Sequence, residues 1–578
     1  MKTNRALLLF CISAVIVVAP LALLAVPGAI FSPDWQNNLW MIGYARQSLL
    51  SGHWFPDVYT VASHVGVPQP IFYGPRLYPL LALLSLPLGP QWAVRAACLI
   101  VWSLQFWLVY RLSRRVGGDP IHALAAAALM SWAVYPLTNL YNRGALAEFF
   151  ATALFLCALC AGGLALLSPH RGRFALLAAL LGALALGAHA PTALIGGGVL
   201  LLIIVPALLL RLPGQDIRIG RRVIWTILLA LLIGAILSPW VYALLRYSGR
   251  FSISVPNPFF YSIAGRWQRF EWIDAWWARL SPLPLPGQWA PPQNAWRYTL
   301  HLDAQWNFPL ALLAVYSAAR ALVARPRGRA APLMIVAAVI AVGLLVLSIC
   351  QPLQNALTHP IGAAIQFPYR LVSHVNIALL VLLLAAWVAK APEMRGSGAA
   401  ILAIAMALSA AGLALKLKHA AAVMVRAQPQ TASQFARLPP MFGGQDDYTL
   451  QVHETELPIS LAWEPNSPLM VEAPFGGGPA EGAADVTITL PATRWIVTSI
   501  MNFPWNRLVL DRQPIPFAQV HNLYFHETVR LTAGEHRIGY RFDPDPLWVQ
   551  LDRLSWEILA VLLVVCIAAF ARRRDSIE

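Results

Sequence analysis

The chain has 578 residues, 58% of them hydrophobic and only 12% charged, with a net charge of +16 and a mean hydropathy of +0.60. Apolar residues at that density, arranged in repeated runs of membrane-crossing length, exclude an ordinary soluble domain. The basic excess could suit nucleic acid, but the Lys and Arg residues gather in short loops between the apolar runs, which is the charge bias that sets membrane topology.

The chain opens with a basic flank, Met1 to Arg5, and an apolar run from Ala6 to Val26. That run is longer than a signal-peptide core and no clear small-x-small cleavage site follows it, so it reads as a retained first helix. The spanning helices expected in chain order are 6–26, 92–112, 120–137, 145–167, 173–188, 192–211, 222–246, 308–324, 331–350, 371–389, 398–417 and 553–571. With the N-terminus inside, alternation puts the basic loops Arg111–Arg115, His170–Arg173, Arg211–Arg222, Arg325–Arg329, Lys390–Arg395 and Arg572–Arg574 on one side. The agreement requires Leu77 to Leu88 not to span. It is short and interrupted by Pro79 and Pro87, and reads as a re-entrant or interfacial helix.

Four regions then face outward: 27–91, the short segment around Asn139 to Gly144, 247–307 and 351–370. The third is dense in tryptophan (Trp267, Trp272, Trp276, Trp277, Trp289, Trp296), as an interfacial belt would be. From 418 to 552 apolar density falls and short alternating runs appear, such as Val486 to Leu490 and His536 to Phe542, separated by turn signals. This predicts a β-sandwich on the outer face. The expected organisation is a transmembrane domain over 1–417, an outer β-rich domain over 418–552, and a last helix with a basic cytoplasmic tail over 553–578. All six cysteines (Cys11, Cys98, Cys157, Cys160, Cys350, Cys566) lie in apolar segments, so no disulfide framework is implied.

One carboxylate stands out. Asp34, in Ser32-Pro33-Asp34-Trp35, follows the first helix at the outer lip of the bilayer. There it can take a proton from a hydroxyl attacking a lipid-linked substrate, or simply cap the helix that starts near Trp35.

The motifs around it resemble a known family. Asp34-Trp35, Gly52-His53-Trp54-Phe55-Pro56, Ile71-Phe72-Tyr73-Gly74-Pro75 and Leu77-Tyr78-Pro79-Leu80 are similar to the opening of GT-C-type membrane glycosyltransferases. The resemblance is closest to the branch known as 6-pyruvoyl-tetrahydropterin-synthase-related or YfhO-like membrane proteins. It continues through Asn142-Arg143-Gly144-Ala145-Leu146-Ala147-Glu148, Ala188-His189-Ala190-Pro191-Thr192, Gln366-Phe367-Pro368-Tyr369-Arg370 and Asn502-Phe503-Pro504-Trp505. Two features depart from the pattern: Asn38 stands where the branch often has His, and where it tends to have a second Pro after Tyr-Pro this chain has Arg76 close by, an added cation.

The resemblance implies a GT-C-like polytopic α-helical fold in the bacterial inner (cytoplasmic) membrane, with the active site on the periplasmic face. It implies transfer of a sugar from a polyprenyl-phosphate donor to a glycan, lipid or protein acceptor, with Asp34 as the base. Arg76, Arg143 and Arg370 suit the lipid phosphate, because Arg binds phosphate bidentately and stays charged. Asn38, Tyr73, Glu148 and His189 are the supporting residues. Structural alternatives stand beside these roles: an Arg143–Glu148 ion pair at a helix mouth, an interfacial Arg370, and a hydrogen-bonded structural His189. No dense carboxylate and His cluster suggests a metal, so no cofactor is expected. Expected partners are the lipid-linked donor, membrane lipids and the acceptor, within a membrane protein complex or alone, and not nucleic acid. The alternative function is a catalytically inactive scaffold or transporter in cell-envelope glycan assembly, though no inverted repeat supports transport.

Overall fold

The computed structural model describes residues 2–30, 33–61, 64–167, 171–209, 219–247, 280–284, 303–324, 330–350, 352–353, 356, 368–393, 395–426, 469–471, 486–523 and 526–571. The tryptophan-rich segment 267–296, Gln366 and Phe367, and the tail Arg572–Arg574 lie outside or almost wholly outside these residues.

Each expected apolar run is a helix. The first, α1 (Lys2–Val18), continues as a 3-10 stretch, Ala19–Ala25. There follow α2 (Pro33–Leu50), the short α3 (Gln69–Phe72), α4 (Leu77–Leu88), α5 (Pro90–Arg115), α6 (Pro120–Ser131), α7 (Val134–Leu137), α8 (Leu146–Leu167), α9 (Arg171–Leu186), α10 (Ala190–Leu209) and α11 (Ile219–Tyr247). Further along come α12 (Phe308–Ala324), α13 (Ala331–Ile349), α14 (Leu371–Ala389) and α15 (Ser397–Val423), and after the β region α16 (Pro546–Ala571). The local chemistry of the ends is clear. Proline opens α5 at its first turn and Arg114 and Arg115 close its last, each suited to its end of the helix dipole. The Asp119 side chain accepts from the amides of Ile121 and His122 at 2.8 and 3.0 Å and so caps α6.

Among the described residues, eight helices are long and apolar enough to cross a membrane. A ninth span is the pair Pro120–Ser131 and Val134–Asn142, bent by 42°, if the two count as one. The other three of the twelve expected spans, at Gly172–Leu186, Ile195–Leu208 and Phe308–Ala324, are shorter apolar helices, as is Leu77–Leu88. The chain is therefore a multi-pass helical membrane protein. Its axis is α14, buried along nearly its whole length and packed by α12 and α13. The large apolar cluster around it takes in Trp102, Phe149, Phe150 and Trp387.

The C-terminal region is β-rich and not built from its own residues alone. Strands β2 (Tyr59–Val61) and β3 (His64–Val67) come from the loop between α2 and α3. With β5 (Leu469–Val471), β7 (Arg494–Met501), β10 (His521–Leu523) and β11 (His526–Leu531) they form a six-stranded sheet. Strand β3 lies parallel to β7, with Val65 opposite Ile500. The second sheet has four strands in the order β6 (Val486–Leu490), β12 (Gly534–Phe542), β8 (Asn506–Leu510) and β9 (Gln513–Pro514). Alternate residues of the two sheets meet in one core: Val65, Ile496, Ile500 and Val529 from the first, Leu490, Leu508, Ile538 and Tyr540 from the second. Outside both sheets, β1 (Ala29–Ile30) pairs with β4 (Val425–Arg426).

The seam between loop and sandwich is fixed by Asn506. Its Nδ2 donates to the carbonyls of Gly66 and Met501 at 2.9 and 2.7 Å, and its Oδ1 accepts from the Tyr540 hydroxyl at 2.9 Å. Gly66 has φ of +76, and a Cβ there would lie 2.4 Å from the Asn506 amide, so only glycine fits the contact. The sandwich thereby holds the loop that carries Asp34.

Candidate active site

Helix α2 begins at Pro33, so Asp34 lies inside its first turn. This corrects the capping alternative: the N-cap position falls before Pro33, and Asp34 is a first-turn carboxylate facing the helix dipole. It is half-buried. Withdrawal from water pushes its carboxyl up, and the guanidiniums of Arg143 and Arg370 pull it back, leaving it raised to about 6.

The two arginines are brought together by Glu148. Arg143 follows a π-helical turn, Thr138–Asn142, whose last bond runs from the Arg143 amide to the Thr138 carbonyl five residues back. Such turns are rare and frequent at functional sites. Gly144, at φ +66, then turns the chain into α8, two residues before its first turn presents Glu148. Glu148 accepts from the Tyr135 hydroxyl at 2.7 Å and from Asn139 Nδ2 at 3.0 Å on one oxygen. On the other it meets Arg143 Nη1 at 2.8 Å and Arg370 Nε at 3.1 Å. Arg370 enters from the mouth of α14. The Arg143 guanidinium also donates to Asn139 Oδ1 at 2.6 Å and lies 4.9 Å over the Tyr369 ring. Two guanidiniums thus share one closely bound carboxylate. The group keeps one positive charge in excess, and both guanidiniums act on the Asp34 carboxylate.

Asn38 sits one turn after Asp34 and is buried. Its Nδ2 donates to the carbonyl of Asp34 and, at 3.0 Å, to that of Gly144, while its Oδ1 accepts from the Tyr78 hydroxyl. An amide at this position therefore ties α2 to the Arg143 turn and to α4, a double role in donating and accepting that Asn fills with one side chain. Tyr73 stands next to the site. Burial and then the Asp34 carboxylate push its phenol up to about 12, so it stays protonated, and it is hydrogen-bonded with Tyr78. Its ring meets His189 edge-on at 6.1 Å. His189 Nδ1 is 2.9 Å from Thr192 Oγ1 and 3.4 Å from the Thr192 amide, the geometry of a cap on α10. Burial and the Arg370 guanidinium lower its pKa, so the ring is neutral.

Arg76 stands apart from this group. Its Nη2 donates to Asp552 Oδ1 at 2.8 Å and to Ser555 Oγ at 2.6 Å, and its guanidinium lies 4.6 Å over the Trp556 ring. All three partners are on α16. Arg76 lines an open cleft between the first loop, α11 and α16, whose other walls include Trp54, Asp57, Tyr73, Tyr78, Trp240 and Trp548. Tyr73 belongs to both places.

A second buried ion cluster is not legible from motifs. Asp303, just before α12, is 2.9 Å from Lys416 Nζ and 3.0 Å from His419 Nδ1. Its backbone carbonyl accepts from Thr138 Oγ1 at the start of the π turn. The signal that could have found it is a lysine and a histidine inside the apolar run of α15, costly there unless paired. Among the described residues no group of three or more His, Cys, Asp or Glu side chains could hold a metal ion.

No family model and no curated protein matches the sequence. Among solved structures the chain is similar to the cryo-EM structure of the arabinofuranosyltransferase AftD from Mycobacteria, at 19% identity and a TM-score of 0.41, over 73% of this chain and 27% of that one. The chain spans about a quarter of that protein's length, and a likeness of this degree assigns it neither a fold nor a reaction. What the helices and sheets themselves define is a multi-pass membrane protein with a β-sandwich clasping its first loop.

Proposed function

We propose that this protein is a GT-C-type membrane glycosyltransferase that moves a sugar from a polyprenyl-phosphate donor to a hydroxyl on a glycan, lipid or protein acceptor. The site lies on the extracytoplasmic face of a bacterial cytoplasmic membrane, at the helix ends opposite the basic loops. The helices through Val423 and from Pro546 onward form the membrane part, so the expected bounds of 417 and 553 each fall inside a helix, and the residues between form the outer β-rich part, joined through the first-loop strands. The observation that supports this reading most is one carboxylate with a pKa of about 6 in the field of two arginines. That value suits proton acceptance near neutral pH, since a base works best with a pKa near the working pH.

In the proposed reaction the acceptor hydroxyl attacks the anomeric carbon and passes its proton to Asp34. The bond from that carbon to the phosphate oxygen breaks, and the polyprenyl phosphate leaves with the electron pair. Arg143 and Arg370 stabilise the charge gathering on that phosphate. Glu148, Tyr135 and Asn139 fix the two guanidiniums, Asn38 holds α2 against their turn, and His189 shapes the start of α10. Protonated Tyr73 donates to the Tyr78 hydroxyl, which itself donates to Asn38, and its oxygen can accept from a substrate hydroxyl. Activity with and without EDTA checks the expectation that no metal takes part.

The test is Asp34→Asn in the full-length protein, assayed by glycan and lipid profiling of a strain carrying only the variant. Loss of the glycan product with normal protein levels supports the reading. Wild-type product would instead support the non-catalytic scaffold or transporter.

A further inference from the structure

The cleft that holds Arg76 differs from the Asp34 site in charge and in surface. Its charged lining residues are one guanidinium, Arg76, and two carboxylates, Asp57 and Asp552. Arg76 is already matched by Asp552 at 2.8 Å. The one lining guanidinium is thus already bound, to Asp552 and Ser555, in contrast with the excess of positive charge at Arg143 and Arg370. The walls are aromatic. Trp54 is 63% exposed, packs edge-on against Phe55 at 4.8 Å, and leaves much of its ring to the opening. Phe55 in turn stacks on Trp556 at 5.3 Å, which holds the platform rigid. Exposed aromatic faces beside carboxylates suit a neutral polyol: the rings cover the apolar C–H face of a sugar and the carboxylates accept from its hydroxyls.

We propose that this cleft seats the carbohydrate of the acceptor, with Trp54 as the stacking platform and Asp57 accepting from sugar hydroxyls. The inference rests on the glycosyl-transfer reading and divides its substrates between two places. The lipid phosphate of the donor belongs to Arg143 and Arg370, and the acceptor glycan to the cleft. Tyr73, which lines the cleft and feels the Asp34 carboxylate, is where the two meet. Arg76 then has a positioning role: it orients Asp552 and clamps α16 to the first loop.

The experiment uses the full chain in lipid nanodiscs, because maltoside detergents carry sugar of their own. Tryptophan fluorescence is titrated with linear hexasaccharides of hexose and pentose series, α- and β-linked, and separately with farnesyl phosphate. At least one hexasaccharide is expected to bind. Trp54→Ala should weaken it roughly tenfold, the upper end for an aromatic contact, and Trp54→Phe should restore most of it. Asp57→Asn should also weaken it, while farnesyl phosphate binds all variants alike. Failure of every hexasaccharide to bind overturns the proposal. So does unchanged binding in Trp54→Ala, which would leave Trp54 an interfacial anchor, or a selective loss of farnesyl phosphate, which would make the cleft a lipid-phosphate site. Asp34→Asn separates the two readings: if it transfers sugar normally while Trp54→Ala loses the hexasaccharide, the catalytic reading falls and the sugar cleft stands.

Discussion

Two aspartates at the same end of the helix bundle meet cations in opposite ways. Asp303 is buried and saturated, with Lys416 and His419 both at direct contact. Burial alone would raise its carboxyl, but Lys416 and His419 outweigh it and hold the group below its ordinary range. Asp34 is half-buried, and the guanidiniums that reach it are bound first to Glu148. There withdrawal from water wins, and the pKa rises to about 6. A carboxylate whose cations are spent on it alone is a fastener. One whose cations are committed elsewhere keeps room for a proton.

The largest test of this contrast is Asp34→Asn. The change preserves shape and removes the charge. As a first-turn residue rather than a cap, Asp34 contributes about 0.3–1 kcal/mol through the helix dipole, so folding should hardly change. Transfer should fall by roughly 10² to 10⁴. In the wild type the rate should rise with pH through about 6, as Asp34 loses its proton. Asp34→Glu should keep part of the rate. A pH profile with no break near 6 would remove Asp34 as the base.

Next come Arg143→Lys and Arg370→Lys. Each keeps a positive charge but loses the planar fork that meets Glu148 and a phosphate together. A hydrogen bond to a charged group is worth about 1.5–3 kcal/mol, so transfer should fall by roughly tenfold to a hundredfold. The loss should appear mainly in kcat/KM for the donor, measured at saturating acceptor. A loss confined to the acceptor KM would move the arginines to the other substrate.

Much of the fold is legible in the amino-acid sequence. The apolar runs mark most of the long helices to within a few residues, because membrane length and hydropathy leave little freedom, but α15 and α16 extend beyond theirs toward the β region and the less apolar α2 has none. Alternation in Val486 to Leu490 and His536 to Phe542 marks strands of the sandwich. The first-loop strands carry no such mark. Tyr59–Val61 and His64–Val67 are too short to show a period, and their partner lies far along the chain: Asn506 grips Gly66 across 440 residues. Asp34, Arg143 and Arg370 can be singled out by charge at helix mouths. Their common dependence on Glu148 cannot, since a pairing between α14 and α8 leaves no local trace. The cap reading of Asp34 turns on a boundary of one or two residues, which sequence seldom fixes. Nearness in sequence to Tyr73 draws Arg76 toward the phosphate site, while its partners lie on the last helix, 476 and 479 residues away.

Asp303→Asn probes the other side of the contrast. It leaves Lys416, fully enclosed, without its carboxylate. Breaking a buried pair in this way costs about 3–5 kcal/mol, so the unfolding temperature of the purified protein should drop sharply. Transfer per folded molecule should change little if Asp303 is only a fastener. A selective loss of kcat in folded protein would show that its contact with Thr138 positions the π turn and Arg143.

The last prediction asks whether a raised pKa by itself makes a base. Glu527, on β11 in the sandwich, is fully buried, and burial pushes its carboxyl up to about 8, with Arg507 and the Leu508 amide pulling back. It sits in the β region, away from Asp34 and both arginines of the site. The folded protein keeps this proton up to about pH 8, whereas the unfolded chain loses it near the ordinary carboxyl value of about 4.3. Between these limits the folded state binds more protons, so stability from this group is greatest below about pH 4 and falls as pH rises toward 8. Glu527→Gln supplies the uncharged form permanently. It should flatten that slope and raise the unfolding temperature at pH 8, read by fluorescence-monitored melting across the pH range. Transfer should match the wild type at every pH. A transfer rate that fell with Glu527→Gln would mean that the sandwich does more than clasp the first loop. An unchanged rate, beside the loss in Asp34→Asn, would show that the neighbouring arginines, and not the shifted pKa alone, distinguish the reacting carboxylate.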